Sequence, residues 1–542
     1  MTELLLTNAH VYGDGAWQPG VDAIAVRDGV IVGLGSVAGL EGLVPSAEVV
    51  DLEGGWVLPG FQDAHVHPVQ AGLEMNACNL AEGHDLDDYV ATIAAYALAH
   101  PRAGWIVGGG WSMDVFPGGV PTAAVLDRIV SDRPVFLPNR DHHSAWVNSA
   151  ALELAGITAA TPDPADGRIE RDDRGQPTGA LHEGAMELVR HLVPRPTDDD
   201  IADALQTAQA HLHSLGITGW QDALVGEGLG MPDALDTYLA AQRGGTLTAA
   251  VVGALWWDRD RGEEQIAELV ERRERAAAAG FDAGSVKIMQ DGVCETFTAA
   301  VVEPYLDHHG HATDNHGLSF IEAADLARYV QLLDAADFQV HIHALGDRAV
   351  RDSLDAIEHA VAVNGRRGNR HHLAHVQIVR PDDVSRFAEL EVTANAQPLW
   401  ACLDDQMADL TLPFLSATAR EQQYVFRSLV DAGARLAFGS DWPVSSPNPL
   451  LGIHVAVNRV AAGSDAEPLL ARERLTVVEA IEAYTRGSAW VSRRDLATGS
   501  LAVGKAADLA VLDADVLSID SARIGAVRVT RTYARGRLVH LL

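Results

Sequence analysis

Apolar and polar residues alternate in short runs at both ends of the chain, and glycine-containing turns separate these runs. This pattern is typical of β-strands. The runs cover residues 4–11, 23–26, 30–34 and 48–52 near the start, and 508–512, 527–533 and 538–539 near the end. Neither group is large enough to form a stable core by itself. We therefore expect residues 1–58 and 497–542 to combine into one discontinuous β-sandwich domain.

Between the two ends, apolar strands alternate with helical stripes, which indicates parallel βα units. One stripe runs from Ile201 to Leu212 at helical spacing, with Thr197 suited to cap the helix and Gly216 to end it. Eight such units predict an α/β fold, a (β/α)8 TIM barrel, in residues 59–72 and 196–496. Its predicted strands are 57–65, 217–222, 248–255, 285–290, 338–343, 371–376, 391–397 and 435–440.

The distance between the first two barrel strands is anomalous. About 150 residues separate them, far more than one βα unit requires. This segment has apolar strands of its own at 105–109 and 135–139. We therefore expect residues 73–195 to be an inserted subdomain, placed after barrel strand one, that shapes the substrate pocket.

The composition restricts the location and partners of the protein. Hydrophobic residues make up 47% of the chain and the mean hydropathy is +0.02. No apolar run has the length of about 20 residues that a membrane-spanning helix needs. The first eight residues lack the basic region and cleavage site of a signal peptide, so we expect a cytoplasmic protein. The net charge of −35 argues against nucleic-acid and membrane partners, because binding phosphate requires a basic surface.

Cysteine is too scarce to form a disulfide framework or a cysteine-rich zinc site. The three cysteines, Cys78, Cys294 and Cys402, are widely spaced and odd in number. Any metal must therefore be held by histidine and carboxylate groups.

Several potential metal ligands fall at the ends of predicted barrel strands. His65 and His67 are separated by one residue, so they would lie on one face of the first strand. Because active sites of TIM barrels lie at the carboxyl ends of the strands, residues at these ends would converge. The other candidates at strand ends are Lys287, His341, His343, His371, His372, His375 and Asp441.

Motifs along nearly the whole chain resemble the amidohydrolase superfamily, most closely its amidohydrolase-3 branch, which includes N-substituted formamide deformylases. The motifs are LPGFQDAHVH at 58–67, HSAWVN at 143–148, GQPTG at 175–179, VKI at 286–288 with DG at 291–292, HALGDRA at 343–349, GSDWP at 439–443 and GSLAVGKAADL at 499–509.

This resemblance implies a divalent metal centre, usually of zinc, with one or two ions. The implied metal ligands are His65, His67, Lys287, His343, His375 and Asp441. Lys287 would be carboxylated to N6-carboxylysine and would bridge two ions, while Asp441 would also be the general base. A lysine among Val286, Ile288 and Met289 is costly to bury as an ammonium, whereas its carbamate is an anionic ligand.

Some assignments have alternatives in the sequence. Lys287 could instead remain an ammonium that pairs with Asp441. His341 shares a strand face with His343, and the choice of His343 depends on the HAxGD match. His371 has the same parity as His375, but His375 is the one at the predicted strand end. Asp63 is expected to have a supporting role and not to be a ligand.

Three residues are candidates for substrate contacts: Trp111, His143 and Trp400. Each could form a pocket wall or pack in a core.

Two positions depart from the family pattern. The chain has His142-His143-Ser144 where relatives often have Gly-His-Ser, and it has Gln397-Pro398-Leu399-Trp400 where many have a histidine after Gln-Pro. The substrate could therefore differ from those of the relatives.

These features predict a metal-dependent hydrolase of a non-peptide C–N bond, in a small-molecule amide such as an N-substituted formamide. A hydrolase of cyclic amides or esters would use the same centre, because fold and metal do not set the substrate. A catalytically silent, metal-binding regulatory protein is an alternative of another class, although the presence of Asp441 speaks against it. The family also implies a homodimer.

Overall fold

The computed structural model describes residues 2–542, so Met1, the first residue of the predicted sandwich, lies outside the described residues. Five strands and one short helix lead into the first barrel strand, β6. Their bounds are β1 Glu3–Gly13, β2 Ala16–Trp17, β3 Ala23–Arg27, β4 Val30–Gly35, α1 Val37–Leu40, β5 Glu48–Pro59 and β6 Phe61–Val66.

A glycine divides the segment that the sequence predicts as one strand, 57–65. Strand β5 ends at Pro59 and belongs to the terminal sheet, whereas β6 begins at Phe61 and belongs to the barrel. A Cβ at Gly60 would overlap the side chain of Thr218. Residue 60 thus has to be small, because the chain passes from one sheet to the other in contact with the next barrel strand.

The insert folds around a sheet of six strands. Helix α2 leads into it, and two hydrophobic cores lie within it. The predicted strands at 105–109 and 135–139 are present as β8 and β9. The elements are α2 Pro68–Met75, β7 Cys78–Asn79, α3 Leu86–Ala99, β8 Ile106–Gly109, α4 Ala123–Asp127, β9 Val135–Pro138, β10 Ser144–Val147, α5 Ser149–Leu154, β11 Gly167–Arg171, β12 Pro177–Glu183 and α6 Glu187–Arg190.

The predicted TIM barrel is confirmed: β6 and seven later strands form one parallel sheet of eight. Helix α7 begins after a capping box of Thr197 and Asp200, as the sequence predicts. The elements are α7 Asp198–Ser214, β13 Ile217–Val225, α8 Leu235–Gly244, β14 Ala250–Trp256, α9 Ile266–Ala278, β15 Asp282–Met289, α10 Ala323–Ala335, β16 Gln339–Ala344, α11 Asp347–Asn364, β17 His372–His375, α12 Pro381–Glu389, β18 Thr393–Ala396, α13 Ala417–Arg420, α14 Phe426–Asp431, β19 Arg435–Phe438, α15 Pro449–Asn458, α16 Val477–Glu482 and α17 Ser488–Val491.

The segment that follows β19 joins the last strand of the barrel to the first. The amide of Ser440 donates to Oδ1 of Asp63 at 3.0 Å, and its hydroxyl donates to Oδ2 at 2.5 Å. The amide of Asp441 donates to the carbonyl of His65 at 2.8 Å. These bonds form a seam between β6 and β19 that nearly closes the barrel.

The C-terminal strands return to the sheet that the N-terminus began. Strands β20 Leu509–Leu512, β21 Val529–Ala534 and β22 Arg537–Leu541 extend it from β5, and β20 runs antiparallel to β5. The amide of Ile31 also donates to the carbonyl of Lys505 at 2.9 Å, which joins β4 to the segment before β20. Both chain ends therefore share one folded sheet of eight strands.

Side-chain alternation along β20 attaches this sheet to the barrel. Val511 packs inside the terminal sheet, whereas Ala510 and Leu512 belong to the barrel core.

No helix within residues 2–542 combines the length and apolar character needed to cross a membrane.

Gly72 of α2 provides a test of the packing behind the first barrel strand. A Cβ there would overlap the backbone of Ala204 in α7. Alanine gains about 1 kcal/mol in helix propensity, but overpacking typically costs about 1–3 kcal/mol. We expect Gly72→Ala to lower the midpoint of thermal unfolding, because rigid backbone cannot yield as a side chain can.

Gly244, the last residue of α8, is the matched control. A Cβ there would have no atom within 4 Å. Gly244→Ala should leave the midpoint unchanged or raise it. Equal midpoints for the two variants would show that α2 and α7 can separate without cost.

Candidate metal centre

The seam between β6 and β19 brings two histidines to one carboxylate. Nε2 of His65 lies 3.1 Å from Oδ1 of Asp441, and Nε2 of His67 lies 3.0 Å from the same oxygen. All three side chains are buried, and their ligand atoms lie within 4.8 Å of one another. The amide of His67 also donates to the carbonyl of Trp442 at 2.9 Å, so backbone bonds fix both chain segments.

His341 orients His65 from behind. Nε2 of His341 lies 2.8 Å from Nδ1 of His65. When Nδ1 of His65 donates this hydrogen bond, its Nε2 keeps a free lone pair that points towards Asp441. His341 therefore supports a candidate ligand, while His343 on the same strand lies nearer its carboxyl end.

His375 is held in a comparable way. Its Nδ1 donates to Oε1 of Gln397 at 2.9 Å, and Trp400 stacks on its ring at a centroid distance of 5.4 Å. Its ring centroid lies 4.8 Å from that of His65 and 4.4 Å from that of His343. The four predicted histidine ligands are thus brought together.

Two of the candidate ligands have left-handed backbones, with φ of 74° at His375 and 57° at Asp441. Such conformations are costly for residues other than glycine and are concentrated at functional sites. Here they turn the side chains at the ends of β17 and β19.

Burial favours the neutral forms of His65, His343 and His375. Desolvation lowers the pKa of His65 to about 3, although the charge of Asp441 opposes it. Desolvation also holds the pKa values of His343 and His375 well below the ordinary value. A neutral imidazole has the lone pair that a metal ligand requires.

Lys287 lies among these groups, and its charge lowers the pKa of His65, His343 and His375. Its side chain is buried, and Nζ donates to the thioether sulfur of Met289 at 3.6 Å, which is a weak acceptor. Desolvation lowers the pKa of Lys287 to about 8, against the charge of Asp441.

The donor set fits a divalent metal. Nε2 of His65, Nε2 of His375 and Oδ1 of Asp441 are buried atoms for which residues 2–542 provide no hydrogen bond. Such atoms are costly to bury unless something binds them. Imidazole nitrogens with a carboxylate oxygen are the ligands that suit zinc and related ions.

Two buried aspartates, Asp63 and Asp291, support the site, and Oδ1 of Asp291 lies 3.7 Å from Nε2 of His343. Asp63 accepts from the amide of His65 at 3.1 Å in addition to its two bonds from Ser440. Asp291 accepts from the amides of Ala300, Leu345 and Gly346 at 2.8–3.0 Å. These contacts agree with the supporting role expected for Asp63.

The insert reaches the centre through the turn between β9 and β10. The ring of His143 lies 6.2 Å from that of His343, between centroids, and its Nδ1 lies 2.9 Å from Oε1 of Glu183. Burial would lower the pKa of His143, but Glu183 outweighs it and the pKa is raised to about 9. The neighbouring His142 contacts Oε1 of Glu74 at 3.0 Å.

Sequence reasoning overlooked Glu74 and Glu183. Glu183 is a charged residue at the end of β12, directly before a glycine, and this position was the only available signal. Glu74 lies in an ordinary helical pattern and gave no signal.

Trp111 is not placed where its side chain could contact a substrate. Its side chain is 0% exposed, its Nε1 donates to the carbonyl of Leu137 at 2.7 Å, and it packs against Phe116 and Trp146. It is a core residue of the insert, because the indole has no accessible surface left. Trp400, in contrast, is half-buried against His375.

The chain is similar to several known proteins over nearly its whole length. LONG AFTER FAR-RED 3 of Arabidopsis thaliana is 32% identical over 550 residues, which cover 100% of this chain and 92% of that protein. The putative amidohydrolase YtcJ of Bacillus subtilis is 30% identical, with 96% of each chain covered. The N-substituted formamide deformylase of Arthrobacter pascens is 28% identical, with 99% and 98% covered.

A solved structure shares both fold and length. The uncharacterized metal-dependent hydrolase from Pyrococcus furiosus has a TM-score of 0.71 and 27% identity, covering 95% of this chain and 100% of that one. Residues 48–540 match the Amidohydro_3 profile, described as the amidohydrolase family. The chain therefore belongs to the amidohydrolase family, within the superfamily of metal-dependent hydrolases.

Proposed function

We propose that the protein hydrolyses a non-peptide C–N bond in an amide of modest size, such as an N-substituted formamide. One observation carries the proposal: the Nε2 atoms of His65 and His67 converge within 3.1 Å of Asp441 Oδ1 in a buried site. The relative named N-substituted formamide deformylase, similar over 99% of this chain, supports the choice of substrate class.

Zinc is the proposed metal, with one or two ions. The residues that would hold it are His65, His67, Lys287, His343, His375 and Asp441. When bound, the metal lowers the pKa of a water ligand to about 7 and polarises the scissile carbonyl.

Asp441 is the proposed general base. Burial alone would raise the pKa of Asp441, but its close contacts with His65 and His67 hold that pKa well below the ordinary value. Its carboxylate is therefore ionised and able to accept a proton from the attacking water. It then delivers that proton to the leaving nitrogen, which departs as a neutral amine.

Lys287 is the proposed site of carboxylation. A pKa lowered to about 8 leaves part of the amine neutral near physiological pH, and a neutral amine attacks CO2. A new N–C bond forms, the nitrogen releases a proton, and the product is an anionic carbamate. This would replace an ammonium whose partner is a thioether by a ligand that attracts cations.

The remaining expectations concern location and partners. We propose a cytoplasmic protein that acts on small molecules and binds neither nucleic acid nor membranes, which the charge of −35 supports. The homodimer remains a prediction. The cyclic-amide and ester alternative uses the same residues, so the assays below include those substrates.

Replacing the base should abolish turnover. We expect Asp441→Asn to lower kcat/KM by about 10²–10⁴-fold on a panel of N-substituted formamides, cyclic amides and esters, because the amide cannot accept the proton. Steady-state kinetics and metal analysis would be measured together.

Asp334→Asn is the matched control. Asp334 is a buried aspartate that contacts His371 at 3.1 Å, away from the candidate ligands. The Asp334→Asn variant should keep wild-type kinetics. Stoichiometric metal without any hydrolysis of the panel that depends on Asp441 would contradict the hydrolase and favour the silent regulatory protein.

Carboxylation can be tested without activity. The chain contains two lysines, Lys287 and Lys505, and Nζ of Lys505 donates to two backbone carbonyls at 2.6 and 3.0 Å. We expect one carbamate carbon signal in ¹³C NMR of protein prepared with ¹³C-bicarbonate and metal. Lys287→Met should remove the signal and Lys505→Met should retain it. The opposite pattern, or no signal, would leave Lys287 as a free amine.

A further inference from the structure

Two adjacent histidines in the turn between β9 and β10 each contact a carboxylate from a different element. His142 contacts Glu74 of α2 at 3.0 Å, and His143 contacts Glu183 at the end of β12 at 2.9 Å. His142 adopts a φ of 64°, a conformation that favours glycine. The turn is thus held on one side by the barrel's first helix and on the other by the insert sheet.

Glu183 contacts His143 through both backbone and side chain. Its amide donates to the carbonyl of His143 at 3.0 Å, and its Oε1 accepts from Nδ1 of the imidazole. The same Oε1 accepts from Oγ1 of Thr298 at 2.8 Å. Glu183 itself has a φ of 51°, so a costly backbone conformation is maintained where these contacts meet.

These contacts continue to a candidate metal ligand. The amide of Gly292 donates to the carbonyl of Thr298 at 3.2 Å, and the carbonyl of Gly292 lies 3.4 Å from Nε2 of His343. One short path of hydrogen bonds therefore links Glu183 to the loop that holds His343. With Nδ1 bound to Glu183, Nε2 is the remaining nitrogen of the His143 ring, whose centroid lies 6.2 Å from that of the His343 ring.

We propose that Glu183 is a positioning residue of the hydrolytic site, which fixes His143 through Nδ1 so that Nε2 forms a hydrogen bond with the reacting amide. This proposal rests on the proposed function and deepens it, because it makes the insert a supplier of a group at the reacting bond. His143 lies beside a candidate metal ligand and not in an outer pocket, so its contact would be with the amide and not with a distant substituent.

Two substitutions separate placement from charge. Both hydrogen bonds to the carboxylate end on Oε1, so Glu183→Gln can retain them without the charge. Glu183→Asp retains the charge, but the shorter side chain withdraws it from Nδ1. If Glu183 positions His143, the kcat of Glu183→Gln should stay within about threefold of the wild-type value. Glu183→Asp should lower kcat by about 10–100-fold and leave KM little changed.

Glu170→Asp is the matched control within the same sheet. Glu170 contacts Nε2 of His182 at 3.2 Å, so this is also a pair of histidine and glutamate in the insert. Its kinetics should be those of the wild type. A larger loss of kcat in Glu183→Gln than in Glu183→Asp would overturn the positioning role. Equal kinetics for Glu183→Asp and the wild type would also overturn it.

A second measurement does not depend on hydrolysis. In ¹⁵N-histidine-labelled apoprotein, we expect a slowly exchanging Nδ1 proton of His143, distinguished from those of other buried histidines by its loss in His143→Gln. It should persist in Glu183→Gln and disappear in Glu183→Asp. Its persistence in Glu183→Asp would overturn the proposal. If the wild type hydrolyses no amide while the proton behaves as expected, the proposed function fails and the hydrogen bond between Glu183 and His143 stands.

Discussion

The candidate site depends on one buried carboxylate, Asp63, that joins the first strand of the barrel to the segment after its last strand. Asp63 accepts three hydrogen bonds, from the amide of His65 and from both donors of Ser440. Desolvation raises the pKa of Asp63 to about 7, and these hydrogen bonds oppose the shift. Because His65 donates one of these bonds and Asp441 directly follows Ser440, the contact that joins β6 to β19 also sets the distance between His65 and Asp441.

Burial then shifts the pKa values of the side chains that the seam brings together. Desolvation lowers the pKa of His65, His375 and Lys287, which favours their neutral forms and reduces the positive charge that would repel a cation. Hydrogen bonds from Nδ1 of His65 to His341 and from Nδ1 of His375 to Gln397 leave the Nε2 atoms of both rings free to bind an ion. The resulting group of unsatisfied atoms is unfavourable by itself, which is the usual condition of a site built to hold an ion.

The barrel and its polar strand ends could be predicted from sequence because each follows from local pattern. Buried parallel strands have continuous apolar runs, and polar residues that directly follow them must face the carboxyl end of the sheet. The division at Gly60 was not predictable, since the apolar run continues through it. The burial of Trp111 was also not predictable, because the insert has no repeating architecture that assigns a direction to its side chains.

The seam also couples the candidate site to folding. Asp63 and Ser440 are 377 residues apart, so the ligands on either side meet only after nearly the whole chain has been made and the barrel has closed. An ion bound between His65 and Asp441 would hold β6 against β19 and would find no such site in an unfolded or half-built chain. Metal supply would thus govern how long the finished barrel stays closed as well as whether it reacts.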